Sequence, residues 1–163
     1  MKFTVKKPPE MQYIGRQVER DIRNFLSLRL SVALKEFHRC LSDTPVYTGR
    51  TLANYRWSVG EPIEKRRAAV ARPLLPGKTS NLSIGSEPRR EANQALIDSE
   101  FNVVLKSVQK DPFQKIFLTN NLPNFSDIEY GSYSKKSRTP PGGMTRRGEA
   151  KLRLLVRGIE KIG

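Results

Sequence analysis

Residues 10–41 read EMQYIGRQVERDIRNFLSLRLSVALKEFHRCL, and their periodicity decides the fold. Ile14, Val18, Ile22, Leu26, Leu30, Ala33, Phe37 and Leu41 follow at spacings of four, four, four, four, three, four and four. Residues three and four apart share a side of an α-helix, so the spacing predicts one long helix with a single apolar face. Arg16, Glu19, Arg20 and Arg23 fall on the other sides, as an amphipathic helix requires. The helix is expected to stop near Ser42-Asp43-Thr44-Pro45, because proline lacks a donor and restrains the residue before it.

Outward from this helix the chain reads as α+β. Residues 1–9 form an extended arm closed by Pro8-Pro9. After the helix, TPVYTGR is an extended segment turning at Gly49, and TLANYRWSVG reads as a strand with Tyr55, Trp57 and Val59 on one side. Residues 64–88 show no steady period and contain several Pro and Gly, which marks a long loop with a short strand at residues 82–86. A second helix is expected from Arg89 to about Gln109, with Ala92, Leu96, Phe101, Val104, Leu105 and Val108 inward. KIFLTN reads as a short buried strand, and Leu122-Pro123 opens a brief helix whose first turn gains from Asp127. Residues 132–143 form a polar, basic loop, and a terminal amphipathic helix follows with Leu152, Leu155, Val156 and Ile159 on its apolar side. The fold expected is a long N-terminal helix and a second helix packed on a small antiparallel sheet, with a C-terminal helix, in a single domain of 163 residues.

Composition narrows the function classes. Thirty basic residues against sixteen acidic ones give a formal net charge of +14, which favours polyanionic surroundings such as nucleic acid or an acidic protein face. Residues 131–163 carry nine Lys/Arg against two acids, whereas residues 91–130 carry three against six. Basic residues therefore gather in the loops and the terminus. Cys40 stands alone, which excludes an intramolecular disulfide and a Cys-rich metal site. No run of about eighteen apolar residues suits a membrane span, and the N-terminus lacks the apolar core of a signal peptide. A soluble protein of a reducing compartment is expected.

Candidate chemistry is sparse. His38 is the sole histidine and lies beside the apolar stripe, where a packed role is expected. Cys40 lies two residues on, a spacing at which helix side chains do not face each other. Asp127 and Glu129 lack companions for a metal site, and helix capping or loop hydrogen bonding is the simpler role. No cofactor and no catalytic residue are expected. The stretch LTNNLPNFSDIEYG, residues 118–131, reads as a structural joint. Asn120 and Asn121 suit a sharp exit from a strand, Pro123 fixes the next turn, and Phe125, Ile128 and Tyr130 fold back on the core. Gly131 lets the chain leave.

Two ordered blocks resemble a known family. TPVYTGRTLANYRWSVGEP begins at Thr44, and IFLTNNLPNFSDIEYGSYSKKSRTPPGGM ends at Met144, with a helix between them. Together they resemble the tail-completion or neck proteins of long-tailed bacteriophages, also described as minor tail or head–tail joining proteins. The match covers Thr44, Pro45, Val46, Thr48, Gly49, Arg50, Asn54, Trp57 and Gly60 in the first block. In the second it covers Thr119, Asn120, Asn121, Leu122, Pro123, Glu129, Tyr130, Gly131, Ser132, Pro141, Gly143 and Met144. Tyr47 stands where the family commonly has an acidic residue, Phe125 lies one step beyond the usual aromatic, and the loop before Met144 is more basic than the family's.

The resemblance implies a virion structural protein made in the host bacterial cytoplasm and placed at the neck, at the proximal end of the tail. It implies a homo-oligomeric ring, a hexamer favoured, between head-closure and tail-terminator proteins, with DNA in the channel as a further contact and no membrane. Lys65, Arg66, Arg67, Arg72, Lys135, Lys136, Arg138, Arg146 and Arg147 are the basic residues expected to face DNA or a neighbour. Arg50 is expected to pair with Glu129 and tie the blocks together. The alternative from composition is a small basic accessory protein that binds DNA without sequence preference.

Overall fold

The computed structural model describes residues 9–44, 50–69, 88–130 and 143–160. The order is α1 (Pro9–Leu41), α2 (Arg50–Ala53), β1 (Arg56–Val59), α3 (Pro88–Lys110), β2 (Ile116–Thr119), α4 (Phe125–Tyr130) and α5 (Met144–Glu160). The architecture is α+β, a long N-terminal helix with further helices around a two-stranded antiparallel sheet. Several expectations fall outside the described residues. These are the arm before Pro9, Pro45, Val46, Thr48, Gly49, Arg72, the strand at 82–86, Gly131, Ser132, Lys135, Lys136, Arg138 and Pro141, and the side chains of Ile128, Tyr130, Val156 and Ile159.

α1 runs over the predicted residues, but only the second half of its stripe is buried. Ala33, Phe37 and Leu41 face the core, whereas Ile14, Val18 and Ile22 are exposed. Helix geometry explains the difference. A step of four residues turns about 400°, so each step precesses by about 40°. Four such steps carry Leu30 to nearly the opposite side of the helix from Ile14. The stripe read as one face therefore winds around the helix.

The core gathers Leu34, Phe37 and Leu41 of α1, Leu52, Tyr55 and Trp57, Ile97, Phe101, Val104 and Val108 of α3, and Met144. Each large apolar side chain removed from water contributes roughly 1.5–3 kcal/mol. The predicted strand at TLANYRWSVG is shorter than expected, because Arg50–Ala53 coils into α2 and buries Leu52 and Ala53. On α3 the inner face is set by Asn93, Ile97, Phe101, Val104 and Val108, so Ile97 replaces Leu96 at the core. β2 is half-buried along its length. It pairs with β1 so that Arg56 faces Thr119 and Val59 faces Ile116.

α5 packs antiparallel along the second half of α1. Arg147 pairs with Asp43 at 3.1 Å and Lys151 with Glu36 at 3.4 Å, so the contact moves back along α1 as α5 advances. Gly148 lies between them, and a Cβ there would sit 2.8 Å from the Phe37 ring. Glycine is unfavourable inside a helix by about 1 kcal/mol relative to alanine, but here it permits the close approach.

Candidate functional site

The described residues of the two blocks come together at the sheet and its flanks. β1 lies within the first block and β2 opens the second, so the antiparallel ladder joins them directly. Tyr55 and Phe125 add an edge-to-face ring contact at 5.7 Å across the same seam. The polar residues then hold the loops. The Asn54 amide donates to the carbonyls of Arg50 and Arg67, at 2.8 and 2.9 Å, and its oxygen accepts the Arg67 N–H at 2.8 Å. Asn120 donates to the Thr51 carbonyl at 3.0 Å. Asn121 donates to the carbonyls of Ile63 and Glu64, at 3.2 and 2.7 Å. Thr119 also donates to Ile63 at 2.8 Å, and Arg66 donates to the Asn121 carbonyl at 2.8 Å. An irregular segment has no ladder of its own, so these amides supply the partners that its backbone needs. Residues 61–69 are thus laid against the joint.

Glu129 is the second fixed point. It is buried, and its two carboxylate oxygens accept the N–H groups of Met144 and Arg146, at 3.2 and 2.9 Å. A carboxylate at this end of α5 satisfies orphan donors and meets the positive end of the helix dipole. Capping is the role that the sequence suggested for Glu129. Gly143 makes the approach feasible, with φ at +71° and a Cβ position only 2.3 Å from Glu129 Oε1. Asp127, by contrast, is exposed in the first turn of α4. The two carboxylates serve different ends of the joint.

Thr44 closes α1, its hydroxyl donating to the Leu41 carbonyl at 2.6 Å. The Arg90 guanidinium donates to the carbonyls of Ser42 and Thr44, the latter at 2.9 Å, placing a cation at the negative end of α1. Tyr55 is fully buried close to Thr44 and Glu129, yet its hydroxyl meets no partner in hydrogen-bonding geometry among the described residues. Burial pushes its pKa well above the ordinary 10.

Two networks were not visible in the sequence. His38 stacks on Phe101 with ring centroids 4.0 Å apart. Trp57 Nε1–H donates to His38 Nδ1 at 3.1 Å, so the neutral ring carries its proton on Nε2, which donates to Asp98 at 2.8 Å. Both ring nitrogens are occupied, which leaves no lone pair for base catalysis. Desolvation lowers the His38 pKa below 6.5, against the opposing pull of Asp98. The second network centres on Glu100, which pairs with Arg56 at 2.8 Å and with Arg67, and accepts the Trp57 N–H at 3.1 Å. Residues far apart in the chain meet in both cases, and no spacing rule announces such a meeting.

The basic residues divide. Lys65, Arg66 and Arg146 are exposed, Arg67 turns inward to Glu100, and Arg147 is held by Asp43. A separate open groove of about 360 Å³ lies between the first half of α1 and the end of α3, bordered by Arg16, Arg20, Arg23 and Lys110 with Glu19. Among the described residues no group of three or more His, Cys, Asp or Glu could hold a metal ion, and no helix is long and apolar enough to cross a membrane. No family model, no curated protein and no solved structure matches the chain.

Proposed function

We propose that the chain is a non-enzymatic structural protein of the bacteriophage virion, a tail-completion or neck protein. In this reading it forms a ring, six subunits favoured, between the head-closure and tail-terminator proteins. The observation that supports it is how the family-like residues are used. Thr44, Asn54, Thr119, Asn120, Asn121, Glu129 and Gly143 serve to hold backbone in place. Side chains used in this way fix the shapes of loops, and a ring subunit works by presenting fixed shapes to its neighbours. The expected pairing of Arg50 with Glu129 belongs to the same proposal.

Particles made without this protein provide the test. Electron microscopy is expected to find filled heads and separate tails. Normal joined virions in its absence would overturn the reading.

The alternative, a small DNA-binding accessory protein, draws on the net charge of +14 and on the arginine-bordered groove. It predicts binding of bare duplex with log affinity falling steeply in log salt, by about 0.9 per phosphate neutralised. The neck reading predicts weak binding or none by the isolated protein.

A further inference from the structure

α1 carries a second apolar seam, on the side away from the core. Ile14, Val18, Phe25, Leu28 and Val32 are exposed by 60, 51, 39, 66 and 45%. With Asp21 they follow spacings of four, three, four, three and four. The five steps span 18 residues and average 3.6, so the positions line one side of the helix, and their four–three alternation is the pattern with which one helix keeps a seam against another. Ser27, Leu34, Phe37 and Leu41, which face the core, lie roughly opposite on the same helix. The seam runs about 27 Å, from Ile14 to Val32, at about 1.5 Å per residue.

We infer that this seam binds the same seam of a second copy, antiparallel and about a two-fold axis. Reversing one helix against the other in this register sets Ile14 against Val32, Val18 against Leu28 and Asp21 against Phe25 of the second copy. Four of the five apolar positions then face an apolar residue, and Phe25 faces Asp21. Ile22, which flanks the seam and is 51% exposed, meets its own counterpart beside the axis. Charge selects the direction. In a parallel pair Asp21 would face Asp21, placing two carboxylates together within the seam. In the antiparallel pair Asp21 enters the layer of the second copy's Phe25. There the Arg29 guanidinium is already drawn back over the Phe25 ring, 5.4 Å from its centroid and inside the roughly 6 Å reach of a cation–π contact. Two symmetric Asp21–Arg29 ion pairs result. The contact closes at two copies and does not rest on the ring proposed above, which needs other surfaces.

Sedimentation of the full chain across concentration tests this. A monomer–dimer equilibrium is expected, and D21R or R29D alone should raise the dissociation constant about tenfold or more, since symmetry counts each change twice. The double swap D21R/R29D should return it to within about threefold of the starting value. Both substitutions lie on the exposed side, and unchanged circular dichroism would confirm folding. Orientation is read with cysteines under mild oxidation. V18C/L28C should cross-link into dimers, whereas V18C or L28C alone should not. A chain still monomeric at about 100 μM, an assembly indifferent to the swaps, or cross-linking by a single cysteine would overturn the inference.

Discussion

At the residue scale, Gly143 and Glu129 form the tightest coupling in the joint. Their contact leaves no room for a methyl group, and a positive φ penalises any side chain. Gly143→Ala should therefore lose the α5 cap as well as straining the backbone, at a cost of about 2–4 kcal/mol in urea unfolding. His38 gives a pH-dependent counterpart. Its folded pKa lies below the ordinary 6.5, so below that pH the unfolded chain binds more protons than the folded one. The stability contributed by the neutral ring is present above about pH 6.5 and is lost as pH falls through the folded pKa. Asp98, the carboxylate against the ring, limits the shift without reversing it. Unfolding measured at pH 7.5 and about 5.5 should show this decline, and His38→Gln should remove most of it.

At the element scale, the amide-held segment at residues 61–69 depends on few side chains. Asn54 alone supplies three hydrogen bonds to it and to α2, so Asn54→Ala should cost about 2–3 kcal/mol, with Asn54→Asp intermediate because it keeps the acceptor. Proteolysis within residues 61–69 should quicken in step. Elements are also where the sequence was most and least legible. The ends of α1 and α3 and the position of β2 followed from periodicity and proline, whereas α4 begins at Phe125, two residues beyond the Pro123 expected to open it. The facing of α1 did not, because four-residue spacing alone conceals a cumulative rotation. α2 was hidden because Ala53 and Asn54 extend the alternation of the strand that follows, and only the core that Leu52 enters decides for a helix. The polar joint was legible in kind, since Asn120, Asn121 and Pro123 mark a turn. Its partners at Thr51, Ile63 and Glu64 lie 57 to 69 residues away, beyond any local rule.

At the scale of the whole molecule, internal pairing accounts for part of the charge. Arg56, Arg67, Arg147 and Lys151 are engaged with Glu100, Asp43 and Glu36, and Lys65, Arg66 and Arg146 lie at exposed positions. A subunit held in shape by its own polar joint, with basic side chains outward and a helical seam uncovered, is suited to meeting other proteins. The neck proposal is tested most directly by cryo-electron microscopy of the mature particle. The account predicts a ring at the head–tail junction into which α1, the two-stranded sheet and α5 fit as one repeating subunit. Purified particles that lack the chain, or a junction whose density its fold does not fit, would contradict it.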